Sequence, residues 1–211
     1  MAHCGLTLAV KSICVDAATA LGQADLQAAL RLRLLGPLRE QVDQQLLALA
    51  IDGEPGLQVD LRELDRDGPS YSVDTLRAVR AEYGDAVPVA LLIGADSLLG
   101  LPTWREWTAL FGLAHLVVAE RSGSALDLRL PPVLAEATAG RWVDSATALR
   151  GSPAGRLLRL QQPLHPGSAT EVRHRIAGGG PWHDLVPGVV ADYIIRHRLY
   201  GLNGAATPAS L

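Results

Sequence analysis

The clearest structural pattern in this chain lies between Gly68 and Trp107, in the sequence GPSYSVDTLRAVRAEYGDAVPVALLIGADSLLGLPTWREW. Val73, Leu76 and Val79 recur in it at helical spacing, which predicts an amphipathic helix that ends at Gly84. A short, continuously apolar run follows, of the kind typical of a strand covered by helices on both faces of its sheet. The stretch therefore predicts a helix followed by a buried strand, the repeating unit of an α/β fold.

A candidate ligand site follows this strand, which is predicted at residues 89–93. In an open α/β sheet, ligands bind beyond the carboxyl ends of the strands. The strand runs directly into Gly94, Ala95 and Asp96. Gly94 and Ala95 would allow close approach of the backbone, and Asp96 would offer a carboxylate to a hydroxyl group of the ligand.

The segment Thr103-Trp104-Arg105-Glu106 has the spacing of a capping box and predicts the start of the next helix. Trp104 and Trp107 would then lie three residues apart on one helix. We interpret Trp107 as a core residue, because aromatic side chains at helical spacing usually pack. Trp104, at the helix start, would lie next to the turn that contains Asp96.

Patterns elsewhere in the chain complete an α/β architecture with a mostly parallel sheet and a helical carboxyl end. Strands are predicted at residues 57–61, 114–119 and 156–160. Helices are predicted around 132–139, after the second capping box at 168–171, and over 189–200 with Pro187 at the first helical position. We expect one domain over residues 1–200 and a disordered tail over 201–211.

Residues 1–45 are atypical. Leucines and a valine at helical spacing within 26–34 and 42–49 predict two helices broken near Gly36, and no strand is predicted before them. Two explanations remain open for this part of the chain. One is an altered start or a shifted reading frame, and the other is divergence.

The composition excludes several function classes. The chain has 211 residues, 48% of them hydrophobic, and a formal net charge of -3, which is not the basic footprint of a nucleic-acid-binding protein. Cys4 and Cys14 show neither paired spacing nor the pattern of a zinc site, and no apolar run reaches the length of a membrane span. We expect a cytoplasmic protein with small-molecule partners and no metal ligands of its own.

Three motifs in order resemble the bacterial nicotinate-mononucleotide adenylyltransferase family, over roughly residues 45–200. They are Pro69-Ser70-Tyr71-Ser72-Val73-Asp74-Thr75-Leu76, Gly94-Ala95-Asp96-Ser97 and Trp104-Arg105-Glu106-Trp107. The resemblance implies a Rossmann-like nucleotidyltransferase fold. It implies adenylyl transfer from ATP to nicotinate mononucleotide, giving deamido-NAD and pyrophosphate, with Mg²⁺ held mainly by the substrate phosphates.

The resemblance also assigns substrate-binding residues. Ser72, at a turn that presents N–H groups to the nicotinate carboxylate, stands where the family has Thr, and it would also serve as a plain helix N-cap. Trp104 would stack on the pyridine ring, and Asp96 would accept a substrate hydroxyl. Arg121 would either reach phosphate or lie at a loop edge with its stem on apolar surface.

Phosphate-binding residues follow from the same resemblance. Ser168, Thr170 and Arg173 would hold the ATP phosphates at a helix start, with Ser168 and Arg173 as catalytic residues. His3-Cys4-Gly5 resembles the family's His-x-Gly-His motif with its second His missing, so His3 is either a catalytic phosphate ligand or simply solvated. The incomplete motif predicts impaired catalysis.

Two other functions are kept as alternatives. One is a non-catalytic nucleotide-binding remnant of the family, and the other is an adenylyltransferase with another acceptor, such as phosphopantetheine. The turns at Ser72 and Trp104 argue against another acceptor.

Overall fold

The computed structural model describes residues 6–10, 13–17, 41–52, 57–63, 66, 68–119, 130–160 and 169–202. These residues belong to two compact units. The first unit comprises residues 1–29 and 54–166, and the second comprises 30–53 and 167–211. The single domain over residues 1–200 stays a prediction. The predicted helix at 26–34 and most of the predicted tail lie outside the described residues.

A seven-stranded sheet forms the centre of the first unit, in the order β3-β2-β1-β4-β5-β7-β6. Its strands are β1 (Leu6–Val10), β2 (Ile13–Ala17), β3 (Leu57–Val59), β4 (Val89–Gly94), β5 (His115–Ala119), β6 (Trp142–Val143) and β7 (Leu157–Leu160). Neighbouring strands from β1 through β4, β5 and β7 to β6 run parallel, whereas β2 is antiparallel to both β1 and β3. The prediction of a mostly parallel sheet is confirmed, as are the strands predicted from residues 57, 89, 114 and 156 onward.

The absence of a strand before residue 50 was a wrong prediction. β1 pairs in parallel with β4, with Thr7 opposite Val89 and Val10 opposite Leu92, and β2 returns antiparallel beside it. An apolar run of five residues has no periodicity that separates a buried strand from other apolar segments. Residues 6–10 form a strand because they pair with the edge of β4, and this pairing extends the sheet beyond β4.

Helices on the described part of the first unit complete its α/β layers. They are α2 (Ser72–Tyr83), α3 (Ala95–Leu99), α4 (Leu110–Leu113), α5 (Pro132–Thr138) and α6 (Ala146–Leu149). α2 buries Val73, Leu76 and Val79, the residues of the predicted apolar face. They join β4 and β5 side chains in one core. The helices predicted before Gly84 and around residues 132–139 are confirmed.

The predicted capping box at residues 103–106 does not open a helix. Leu101–Thr103 forms a single 3₁₀ turn, and the Thr103 hydroxyl donates backward to the Gly100 carbonyl at 2.8 Å. Trp104 is extended, and Glu106 is left-handed with φ 48° before the next 3₁₀ turn, Trp107–Ala109. Ser and Thr side chains can bond to nearby carbonyls as well as cap a helix, and here the local turn wins.

Buried polar groups tie together the amino ends of the parallel strands. On α2, the Arg80 guanidinium donates to the carbonyls of Leu113 and Pro153, both at 2.7 Å, and to that of Val87. These residues precede β5, β7 and β4. The end of α2 therefore lies at the amino edge of the sheet, and its start points toward the carboxyl edge.

The second unit packs α1 (Gln41–Ile51), α7 (Ala169–Gly178) and α8 (Gly188–Arg196) around a core of its own. α7 ends at Gly178 and is followed by Gly179, which has φ 69°. The helix predicted at 189–200 is shorter, because Pro187 is its N-cap and it ends at Arg196. Val190 and Ile194 are buried on one face of this helix, whereas Val189 is 55% exposed. None of the described helices has the length and apolar character needed to cross a membrane.

Candidate active site

The carboxyl end of β4 places Gly94, Ala95 and Asp96 at the predicted position. Gly94 is buried and extended (φ -82°, ψ 163°), and it leads into α3 with Ala95 buried beneath. The Asp96 side chain is exposed and has no hydrogen-bond or ion-pair partner among the described residues. The structure thus presents an unpaired carboxylate at the edge where α/β sheets bind ligands.

The start of α2 is the second part of the site. Tyr71 is its N-cap and Ser72 its first helical residue, which corrects the expectation that Ser72 is the cap. The Tyr71 carbonyl accepts from the N–H groups of Asp74 and Thr75, at 3.0 and 3.1 Å, and no side chain caps the helix. The N-terminal N–H groups of such a helix suit an anion such as a carboxylate.

The turn that leads to this helix has a fixed geometry. Gly68 has φ 98°, a left-handed conformation in which a side chain would be strained. The Ser70 hydroxyl then donates to the Glu63 carbonyl at 3.0 Å. Ser70 is therefore used in holding the turn, which leaves Ser72 as the hydroxyl at the helix start.

Trp104 lies in the irregular segment between two 3₁₀ turns. Its N–H donates to the Leu101 carbonyl at 2.9 Å, and its side chain is half-buried against the core of the first unit. Trp107 is half-buried at the border of the same core and packs edge-on against Phe111, with ring centroids 6.1 Å apart, so its predicted packing role is confirmed. The prediction that both tryptophans lie on one helix is wrong, because Trp104 is extended and Trp107 begins a separate 3₁₀ turn.

Four charged side chains bring the start of α2 and the Trp104 segment together. Arg77 donates to both carboxylate oxygens of Glu106, at 3.2 Å for the Nη1–Oε1 pair. Asp74 lies 3.5 Å from Arg77 and 4.0 Å from Arg105. The Arg105 guanidinium also lies over the Tyr71 ring, 4.9 Å from its centroid. Tyr71 adjoins Ser72 and Arg105 adjoins Trp104, so two of the predicted substrate-binding segments are neighbours in space.

The charges of this cluster hold each other in the ionised form. The hydrogen bonds from Arg77 lower the pKa of Glu106, and the same contact raises the pKa of Arg77. Sequence reasoning did not assign either residue, because Glu106 fitted a capping box. The sequence does place Asp74 and Arg77 three residues apart on a predicted helix, and this spacing indicates that Arg77 forms an ion pair.

The phosphate-binding residues predicted in α7 belong to the second unit. Thr170 is exposed in the first turn, and the Arg173 guanidinium lies 5.4 Å from the centroid of the Tyr200 ring. Tyr200 is itself left-handed, with φ 58°. Ser168, His3 and Arg121 lie outside the described residues.

Metal ligands do not cluster in the part of the chain that the structure describes. No three or more His, Cys, Asp or Glu side chains there could hold an ion together. These residues do not fit a metal site made by protein ligands alone.

Several curated proteins are similar to this chain over most of its length. The probable nicotinate-nucleotide adenylyltransferase of Stenotrophomonas maltophilia is 57% identical over 160 residues, covering 74% of this chain and 72% of its own. The protein of the same name from Xylella fastidiosa strain 9a5c is 44% identical over 164 residues, covering 75% and 73%. That of Marinobacter nauticus is 42% identical over 157 residues, covering 74% and 72%. No family model matches the chain.

A solved structure supports the fold. It is Plasmodium falciparum nicotinic acid mononucleotide adenylyltransferase complexed with NaAD, with a TM-score of 0.51, 16% identity, and coverage of 80% of this chain and 77% of that one. At this identity the likeness bears on the fold alone, and it agrees with the Rossmann-like nucleotidyltransferase architecture. With relatives 42% to 57% identical over nearly three quarters of both chains, this chain belongs to the nicotinate-nucleotide adenylyltransferase family.

Proposed function

We propose that this chain transfers the adenylyl group of ATP to nicotinate mononucleotide, giving deamido-NAD and pyrophosphate. The observation that carries the proposal is the convergence of the uncapped start of α2 with the Trp104 segment, in a chain 57% identical to a protein named for this activity. The pyridine ring of nicotinate carries a carboxylate, so a site for it combines an anion-binding group with a flat apolar surface. The start of α2 offers the first and the Trp104 segment offers the second, and the two are neighbours.

On the mononucleotide side, we assign one role to each described group. The Ser72 hydroxyl and the first N–H groups of α2 would bind the nicotinate carboxylate, and the Trp104 ring would stack on the pyridine. The unpaired Asp96 carboxylate would accept a hydrogen bond from a ribose hydroxyl, with the backbone of Gly94 and Ala95 close to the sugar. A ring held at both its edge and its face has little orientational freedom left, which favours a reactive geometry.

On the ATP side, Ser168, Thr170 and Arg173 would bind phosphates, and His3 and Arg121 are further candidates. In the reaction, a phosphate oxygen of the mononucleotide forms a bond to the α-phosphorus of ATP while the bond to the pyrophosphate oxygen breaks. The attacking oxygen is already anionic, so no side chain has to remove a proton. The residues therefore act by aligning two anions and by stabilising the charge that develops on the leaving group.

Mg²⁺ would accompany ATP. Mg²⁺ usually keeps several waters and binds substrate phosphates with one or two carboxylates, instead of a cage of protein ligands. It would neutralise phosphate charge when bound.

The test is a pyrophosphate-release assay on the purified chain with ATP, Mg²⁺ and nicotinate mononucleotide. Parallel reactions contain the amide mononucleotide or phosphopantetheine, and calorimetry measures binding of each acceptor alone. We expect turnover with nicotinate mononucleotide and much weaker turnover with the other two.

Two results would contradict the proposal in different ways. Binding of nicotinate mononucleotide without turnover would identify a nucleotide-binding remnant that has lost its chemistry. Turnover with phosphopantetheine alone would assign the chain to another acceptor.

A further inference from the structure

We propose that Arg77 and Glu106 are positioning residues for the mononucleotide, which hold the Trp104 segment at a fixed distance from the start of α2. The inference rests on the proposed function, since it concerns the same two walls of the pyridine site. Neither residue is assigned a contact with substrate. Their role is to act through Ser72 and Trp104.

The contacts that carry the inference join segments 29 residues apart in the sequence. Both terminal nitrogens of Arg77 donate to the two oxygens of Glu106, an arrangement in which two bonds fix orientation as well as distance. Arg105, stacked on Tyr71 and 4.0 Å from Asp74, makes a second connection between the same segments. Trp104 and Ser72 each adjoin one end of this second connection.

The backbone of the Trp104 segment needs such support. Trp104 is extended and Glu106 is left-handed at φ 48°, a conformation that costs free energy for any residue except glycine. Strained backbone of this kind persists only where surrounding contacts hold it. The Arg77–Glu106 pair holds the strained residue itself.

Global stability does not explain the pair. The side chains of Arg77 and Glu106 are 47% and 43% exposed, and exposed ion pairs contribute little to the free energy of unfolding. A pair that fixes a loop beside a proposed substrate site has a more specific effect, because small misplacement of a binding group weakens catalysis strongly.

The direction in which two substitutions change KM for the mononucleotide distinguishes a positioning role from a purely electrostatic effect. Arg77→Gln removes a positive charge and Glu106→Gln removes a negative one near an anionic substrate. If only the electrostatic field mattered, the first would raise KM for the mononucleotide and the second would lower it. If positioning matters, both raise it.

The experiment compares wild type, Arg77→Gln, Glu106→Gln and the exchanged pair Arg77→Glu/Glu106→Arg. The matched control is Glu82→Gln, which breaks another exposed ion pair of α2, with Arg62 at 2.8 Å. For each protein we measure KM for both substrates, mononucleotide affinity by calorimetry, amide hydrogen exchange over residues 101–109, and thermal unfolding.

We expect both single variants to raise KM for the mononucleotide roughly threefold to tenfold, with KM for ATP unchanged. Exchange over residues 101–109 should become faster, and thermal unfolding should match that of the control. The exchanged pair should recover only part of the affinity, because it restores the ion pair but places like charges beside Asp74 and Arg105. A lower KM in Glu106→Gln, or unchanged KM and exchange in both single variants, would overturn the inference while leaving the function intact. No turnover by wild type would overturn the proposed function, and the positioning role with it.

Discussion

At the scale of single residues, Trp104 and Trp107 show how neighbouring identical side chains acquire different roles. Trp107 lies in a 3₁₀ turn and packs on Phe111, whereas Trp104 lies in extended backbone between turns. Their difference comes from the backbone conformation at residues 104–106, since a continuous helix would have placed both rings on one face. Stacking is therefore proposed for Trp104 and packing is observed for Trp107.

Substitution of each tryptophan by alanine tests this division. Trp104→Ala should weaken mononucleotide binding by about tenfold, because base–aromatic stacking contributes about 1–3 kcal/mol. Trp107→Ala should instead lower the free energy of unfolding by roughly 2–3 kcal/mol, since it leaves a cavity beside Phe111. Calorimetry with nicotinate mononucleotide and urea unfolding measure the two effects. Equal loss of affinity in both variants would contradict the assignment.

At the scale of secondary-structure elements, the two edges of the parallel sheet differ in how their polar side chains are buried. The amino edge is closed by buried side chains that bind backbone carbonyls, as Arg80 does. His115 at the start of β5 is fully buried, with Nε2 2.8 Å from the Ser152 carbonyl and Nδ1 accepting from the Arg156 N–H at 3.0 Å. Because Nδ1 accepts, Nε2 carries the proton and the ring is neutral. At the carboxyl edge, the described end of β4 leads to the exposed Asp96.

This arrangement predicts a pH dependence of stability. Burial lowers the pKa of His115 below its usual value of 6.5. Below pH 6.5 the unfolded chain binds a proton that the folded chain excludes, so the contribution of His115 to stability is complete above pH 6.5 and falls as pH decreases toward the lowered pKa. One such proton contributes a slope of at most about 1.4 kcal/mol per pH unit.

Urea unfolding between pH 5 and pH 7.5 measures the slope. His115→Gln should lose stability at all these pH values but show a flatter dependence than wild type. His197→Gln is the control, because His197 is exposed and only lies tilted against the Tyr193 ring, with ring centroids 4.1 Å apart. A slope in His115→Gln identical to that of wild type would show that His115 is not the group responsible.

At the scale of the whole molecule, the proposed substrate contacts divide between the two units. The described mononucleotide residues belong to the sheet-containing first unit, and Thr170 and Arg173 belong to the helical second unit. Each unit has a hydrophobic core of its own. The division predicts that substitutions in each unit affect one substrate and leave the other unchanged.

Asp96→Asn and Arg173→Gln test the division. Asp96→Asn should raise KM for nicotinate mononucleotide, and Arg173→Gln should raise KM for ATP, each by about tenfold through loss of a charge-assisted hydrogen bond. Steady-state kinetics with each substrate varied in turn gives both constants. Arg196→Gln, an exposed arginine at the end of α8, should change neither. If both variants raised both constants alike, the proposed division would be wrong.

Local sequence pattern is sufficient to predict the alternation of strands and helices that makes up the sheet and its flanking layers. The helix ending at Gly84 follows from apolar residues at helical spacing. The strand after it, and the position of Asp96 at its carboxyl end, follow from a short apolar run bounded by Pro88 and Gly94. The order of motifs determined the family as well. The helix, the strand and the family motifs are all encoded by residues that are close together in the sequence.

Local pattern does not predict the strand at Leu6–Val10, the backbone around Trp104 or the pairing of Arg77 with Glu106. A five-residue apolar run becomes a strand through the edge of β4, and a capping-box sequence becomes a turn when its threonine bonds backward. The spacing of Asp74 and Arg77 predicts an ion pair within the helix, but no local pattern predicts that Arg77 also pairs with Glu106, 29 residues away. In each case the deciding contact is with a residue distant in sequence or with a competing backbone carbonyl, and such contacts exist only in the folded chain.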